Sequence, residues 1–295
     1  MKYAFYPGCA VHHSSKEYGE SCRAISKALD VELAEIPDWS CCGAIDAVYS
    51  YRPLSSIALV ARDLALVEKM GMDVVTLCSA CYYTLNRTNK LLKENSELKN
   101  KVDAALSSAG LSYSGNVRVR HFLEALITDV GLQRIKERVK TPLTALNVAS
   151  YYGCFLVRPQ YLTSFDDPEH PKSLDDLAEA LGASKVEYYG KIRCCGASLQ
   201  ITDEKVMLEM SKKILLSAKD AGANCIITAC PLCHFNLDAK QKAIESKFDV
   251  KIDLPILHFT QLVGLAFAIP PKDLGLDKNF VVPNKILLQY ARSVA

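Results

Sequence analysis

The stretch MGMDVVTLCSACYYTLN, residues 70–86, reads as a buried strand over residues 73–77 that runs straight into Cys78-x-x-Cys81 and then into a helix. An unbroken run of valine, threonine and leucine suits a strand covered on both faces. Gly71, just before it, suits the left-handed position that ends a helix read over residues 54–70. The same plan returns at AGANCIITACPLCHFNLD, residues 221–238. A strand that delivers a pair of cysteines, twice in one chain, points to a duplicated fold with its chemistry at the strand ends.

Working outward, the two halves match in order. KYAFYPGC (2–9) corresponds to LNVASYYGC (146–154). ALDVELAEIPDWSCCGA (28–44) corresponds to ALGASKVEYYGKIRCCGA (180–197), and NVRVRHF (116–122) to DLPILHF (253–259). In the first half, strands are expected over 2–7, 31–36, 73–77 and 116–120. Helices are expected over 16–29 and 54–70, from Tyr82 onward through the charged stretch NKLLKENSELKNKV, and from His121 onward. An internal repeat governs the whole fold reading, and strands alternating with helices imply parallel βαβ units. The expected fold is therefore α/β, with two homologous parallel-sheet βαβ halves related by a pseudo-twofold axis. The expected domains are residues 1–142 and 143–295, with Pro142 in a polar junction.

Composition narrows the function classes. The 295 residues are 49% hydrophobic and 23% charged, with a formal net charge of +2. That balance suits a globular protein and supplies no broad field for nucleic acid. No run of apolar residues has the length of a signal peptide or a membrane span, so a cytoplasmic location is expected. Twelve cysteines in that reducing compartment point to metal or redox chemistry rather than to structural disulfides.

Ten of the twelve form a pattern. A single cysteine, Cys9, is followed after 31 residues by the doublet Cys41-Cys42, and after 35 more by Cys78-x-x-Cys81. The second half repeats this with Cys154, then Cys194-Cys195 after 39 residues, then Cys230-x-x-Cys233 after 34. Each group follows a strand, so all should gather on the carboxyl edge of a parallel sheet, where such folds bind ligands. A structural zinc takes four tetrahedral ligands, and a cubane iron–sulfur cluster takes four thiolates. Five soft ligands with two adjacent suit a larger iron–sulfur assembly better, with the doublet spanning two metals. A zinc-stabilised scaffold is the rival reading. Gly43 and Gly196 are expected to let the backbone approach the metal.

This doubled arrangement resembles the cysteine-rich CCG domain family, in the form of the heterodisulfide reductase B subunits of methanogenic archaea. The resemblance covers nearly the whole chain. It implies a noncubane [4Fe–4S] cluster in each half, carried by Cys9, Cys41, Cys42, Cys78 and Cys81 and by Cys154, Cys194, Cys195, Cys230 and Cys233. It also implies an oxidoreductase that reduces the mixed disulfide of coenzyme M and coenzyme B in methanogenesis. In that reading the substrate lies between the clusters, and each supplies one electron. The implied partners are the ferredoxin-like (C) and flavin-bearing (A) components of the heterodisulfide reductase complex, because the chain shows no G-x-G-x-x-G fingerprint of its own. An alternative within the same family is an electron-transfer component of a flavin-dependent succinate, glycolate or lactate oxidoreductase.

Such substrates carry sulfonate, carboxylate and phosphate groups, so cations should line the site. Those near the cysteine loops are His12, His13, Arg52, Arg87, Arg158, Lys191 and Arg193, with Arg158 and Arg193 preferred. His121 and His258 hold matching places after the fourth strand of each half. They are candidates for hydrogen bonds to cluster sulfur or for proton transfer, against a capping or core role. Cys22 and Cys225, outside the pattern, are expected in the core. Trp39 either shields a cluster or simply packs.

Overall fold

The computed structural model describes residues 1–44, 47–281 and 290. The first half carries β1 (Lys2–Tyr6), β2 (Glu32–Glu35), β3 (Val74–Thr76) and β4 (Val119–His121). The second carries β5 (Asn147–Tyr151), β6 (Ser184–Lys185), β7 (Cys225–Thr228) and β8 (Ile256–His258). They form two four-stranded parallel sheets of the same order, β2-β1-β3-β4 and β6-β5-β7-β8. The α/β architecture and its internal likeness are as the repeat predicts.

Side-chain alternation sends each strand's residues into two apolar layers. Tyr3 and Phe5 enter one layer, and Ala4 and Tyr6 the other. On β7, Ile227 joins the first layer and Ile226 the second. Both layers run through both halves, so each half completes the core of the other. Each large side chain among them, such as Phe5 or Ile227, contributes about 1.5–3 kcal/mol when removed from water. Cys22 and Cys225 are fully buried in the first layer, as expected.

Several elements differ from the sequence reading. The helix expected from Tyr82 spans Ser79–Glu94, so Cys78 stands at its N-cap and Cys81 in its first turn. The second half repeats this, with Cys230 before the Pro231–Asp238 helix and proline at its first position. The charged stretch is two helices, not one. Asn95 ends the first and caps the second, Ser96–Ser107, by accepting the Leu98 N–H at 2.9 Å. The strand expected over 116–120 is only Val119–His121. The counterpart of β2 shrinks to two residues. Where the first half follows its lone cysteine with the Lys16–Ala28 helix, the second runs in turns until the Ser173–Ala180 helix.

The halves meet along the Lys16–Ala28 helix and the Phe259–Ala266 helix, whose Ser21 and Thr260 hydroxyls lie 2.7 Å apart. At the sheet ends, Ser79 Oγ donates to the Ala229 carbonyl at 3.3 Å.

Candidate metal centre

All ten pattern cysteines gather at the carboxyl ends of the strands. Cys9 follows β1 in the short Gly8–His12 helix, Cys41 and Cys42 follow β2, and Cys78 and Cys81 follow β3. Cys9 Sγ and Cys41 Sγ lie 3.7 Å apart, and Cys42 Sγ and Cys81 Sγ 3.2 Å. In the second half Cys195 Sγ and Cys233 Sγ are separated by 3.5 Å. The two sets also touch, because the thiols of Cys78 and Cys230 are hydrogen-bond partners across the halves. Cys41 and Cys194 are exposed, while Cys42 and Cys195 are buried. Each doublet therefore faces one sulfur outward and one inward. All twelve cysteines are free thiols.

Two tyrosines that the sequence reading passed over set the doublets in place. Tyr6 Oη donates to the Ser40 carbonyl at 2.6 Å, and Tyr151 Oη donates to the Arg193 carbonyl at 2.7 Å. Each carbonyl belongs to the residue just before a doublet, so the end of the central strand holds the neighbouring loop. The signal was available, since tyrosine stands three residues before Cys9 and before Cys154. Ser40 is also held by Asp63, which accepts its N–H at 2.9 Å.

Gly196 plays a different role from the one expected. Gly43 and Gly196 both take positive φ, 65° and 80°. A Cβ on Gly196 would meet Met207 Cα at 3.0 Å, so it makes room for a helix rather than for metal. The glycines that yield to sulfur are Gly8 and Gly153. At φ of 70° and 68°, a Cβ there would stand 3.2 Å from Cys81 Sγ and 3.3 Å from Cys233 Sγ.

Charge distribution repeats as well. The Cys41 thiol is pulled down by hydrogen bonds from Cys42 and Cys9, and Cys194 is pulled down to about 6 by its bond to Cys154. The Gly196 N–H adds a donor to Cys194 Sγ at 3.3 Å. Cys9 and Cys154, the partners, are pushed up by those same bonds and by burial. The leading cysteine of each doublet is thus biased toward thiolate, as is Cys230 through its bonds with Cys233 and Cys78, and thiolate is the form that binds metal.

Beside the second set opens a cavity of about 630 Å³, lined by Cys154, Arg158, His170, Lys191, Arg193 and Cys194 among others. Its cations are not equivalent. Lys191 Nζ is held by Asp175 at 2.6 Å and Glu187 at 3.0 Å. Arg158 pairs with Glu169 at 2.8 Å. Arg193 lies over the Tyr189 ring at 4.0 Å and bonds its hydroxyl, and among the described residues it forms no carboxylate ion pair. Near the first set, His12 is taken by Glu35 at 3.0 Å, and Arg52 and Arg87 lie over Tyr51 and Tyr49. Trp39 packs edge-on against Tyr6 and His12 and donates to Glu35.

The paired histidines part company. His121 Nε2 donates to the Ala229 and Leu77 carbonyls at 2.9 and 3.1 Å, while its Nδ1 accepts the Leu123 N–H at 3.1 Å. Burial lowers its pKa to about 4. Nδ1 is committed to the backbone of its own half, while Nε2 joins the halves by bonding both Leu77 and Ala229. His258 is equally buried but meets Glu17 instead, at 3.2 Å.

The donor set fits iron–sulfur chemistry. Each half brings together soft sulfur ligands, the donor type that selects iron–sulfur clusters or zinc. A fifth thiolate beside four leaves a donor that one tetrahedral zinc does not use.

Comparison with known proteins agrees. The cysteine-rich CCG domain pattern matches twice, over residues 3–86 and 148–238. The B subunit of the ferredoxin/F420H2-dependent CoB–CoM heterodisulfide reductase of Methanosarcina acetivorans is 34% identical over 95% of this chain and 94% of its own. Its counterpart in the ferredoxin-dependent enzyme of Methanosarcina mazei is 35% identical over 95% and 94%. The 8-methylmenaquinol:fumarate reductase membrane anchor subunit of Wolinella succinogenes is 36% identical over 97% and 99%. No helix among the described residues is long and apolar enough to cross a membrane. A hypothetical protein from Helicobacter pylori shares the fold, with a TM-score of 0.76 at 15% identity; the match spans 95% of this chain and 52% of that one. A further relative, 24% identical, is named as an uncharacterised iron–sulfur protein of Methanocaldococcus jannaschii, and the two domain matches with the B-subunit relatives show that the chain belongs to the cysteine-rich CCG domain family, in the form of the heterodisulfide reductase B subunits.

Proposed function

We propose that this chain is the disulfide-reducing component of an oxidoreductase complex, acting on the mixed disulfide of coenzyme M and coenzyme B. Two noncubane [4Fe–4S] clusters would be held by Cys9, Cys41, Cys42, Cys78 and Cys81 and by Cys154, Cys194, Cys195, Cys230 and Cys233. The observation that carries this reading is the adjacency of two complete sulfur sets, with Cys78 against Cys230. Iron centres supply single electrons and, as Lewis acids, hold thiolate charge. A two-electron cleavage therefore gains from two of them side by side.

The chain's own residues do the positioning. Tyr6 and Tyr151 fix the backbone before each doublet. Arg193, unpaired with any acid among the described residues, binds an anionic arm of the substrate in the cavity beside Cys154 and Cys194. Arg158 joins it by exchanging Glu169 for the ligand. His121 keeps the two sheet ends in register through its paired carbonyl bonds. Electrons arrive from the ferredoxin-like (C) and flavin-bearing (A) components of the complex, on the cytoplasmic side.

A second reading has one observation in its favour, the 36% identity to the Wolinella anchor protein. In it the chain passes electrons for a flavin-dependent oxidoreductase and has no disulfide substrate. Thiol release separates the two. The iron-loaded protein, reduced by a low-potential artificial donor under anaerobic conditions, releases both thiols from the heterodisulfide on the first reading. Full oxidation of the donor by quinone analogues, with no thiol formed, selects the second.

A further inference from the structure

A buried polar cluster lies between the halves that the ten cysteines do not use. Glu17 comes from the Lys16–Ala28 helix, His258 from the end of β8, and His234 from the Pro231–Asp238 helix, next to Cys233; they are 6%, 0% and 4% exposed. His258 Nε2 stands 3.2 Å from Glu17 Oε1, and the His258 side chain also closes a capping box with Gln261 at the start of the Phe259–Ala266 helix. The His258 ring is sandwiched between Tyr18, at 3.8 Å and 10°, and His234, at 4.0 Å and 17°.

Two imidazoles and a carboxylate suggest a metal site, and their donor atoms lie within 4.8 Å of one another. The stacking argues against it. Imidazole lone pairs lie in the ring plane, and two planes nearly parallel and 4.0 Å apart do not converge on one ion. What the arrangement does supply is a buried carboxyl group against a buried imidazole, a place for a proton. The charged and titratable groups around it are few. Tyr18 is on the same helix, Asp238 stands 4.0 Å from His234 Nε2, Cys230 acts on His258, and Lys278 acts on Glu17 while bound to Glu20. No permanent cation among the described residues pairs with Glu17.

The feature is one-sided. In the first half Tyr82 stands where His234 does, and His121 has both nitrogens occupied by backbone. The same helix also borders solvent. Glu20, one turn along the helix from Glu17, lines an 830 Å³ surface groove together with Lys278.

We propose that Glu17 takes up one proton from water when the iron–sulfur group of the second cysteine set gains one electron, and gives it back on reoxidation. The balance is simple: one electron from a partner's one-electron carrier enters the metal group, and one proton converts carboxylate to carboxylic acid. Added negative charge in a low-dielectric interior favours the proton, and burial already raises the Glu17 pKa. The proposal rests on the cluster assignment above but not on the substrate.

The test uses the iron-loaded full chain. Reduced-minus-oxidised infrared spectra of the unmodified protein should gain a protonated carboxyl band, and Glu17→Gln should remove it. Potentiometric EPR titrations at several pH values should show one cluster whose midpoint falls as pH rises and one that does not. Glu17→Gln flattens the first, and Glu17→Asp restores part of the slope. Absence of the carboxyl band in the unmodified protein overturns the proposal, even if the variants fail to load iron. So does a slope unchanged in Glu17→Gln, or a non-iron metal ion retained by the Glu17 site. A protein that shows the band yet releases no thiol loses only the substrate reading.

Discussion

Cys41 and Cys194 each sit first in a doublet, exposed and biased toward thiolate, with a buried sulfur behind. The pattern cysteines were legible in the sequence because each follows a strand and each spacing recurs. Tyr6 and Tyr151 were not, because a hydrogen bond to the backbone of a neighbouring loop leaves no periodic trace; only their repeated place before Gly-Cys hinted at it. Arg193 was legible by proximity to Cys194, yet its lack of a carboxylate partner among the described residues, unlike Lys191 and Arg158, is a tertiary fact. Replacing Arg193 with Ala should raise KM for the heterodisulfide about tenfold or more, the scale of a lost charge-assisted bond, with kcat and iron content little changed. An unaltered KM would remove Arg193 from the binding site.

Elements carry two further predictions. Gly153 sits at φ of 68° against Cys233 Sγ. Gly153→Ala should cost about 1–2 kcal/mol from the left-handed backbone alone and lower iron retention in the second half, measured by denaturant midpoint and iron count. Wild-type values in both assays would contradict the packing argument. Asp238 anchors the C-terminal segment by accepting the Phe280 and Val281 N–H groups at 2.7 and 3.0 Å. Burial, aided by the Glu17 charge, pushes its pKa up to about 7 against those two donors. A carboxyl whose folded pKa lies above its unfolded value stabilises fully below the unfolded value, and that contribution is lost as pH rises through about 7. The buried neutral His121 and His258 act in the opposite direction in wild type and variant alike, so the Asp238 contribution is read as a difference: Asp238→Asn should gain stability relative to wild type as pH is raised from about 5 to about 8. A wild-type-minus-variant difference that does not change with pH would assign the effect elsewhere. Helix and strand positions were largely readable from apolar runs and from Gly71. The break at Asn95 was hidden because the charged residues on both sides suit a helix equally well.

Across the whole molecule, the duplication was the most legible feature, since four matched segments place equivalent strands in both halves. What the repeat could not reveal is where the halves differ. Matching the segments pairs His121 with His258, but the first is bound to backbone and the second to Glu17. That asymmetry arises at the interface, where the Lys16–Ala28 helix of one half meets β8 of the other, and no internal comparison of the sequence contains it. The two shared apolar layers make the same point: neither half closes its own core. The central claim is that each half binds an iron–sulfur cluster and that the two are neighbours. Iron and acid-labile sulfide counted per chain after anaerobic purification test it most directly. About eight irons per chain, four for each cluster, with sulfide in similar amount, are predicted; a colourless protein holding zinc and no sulfide would contradict the account.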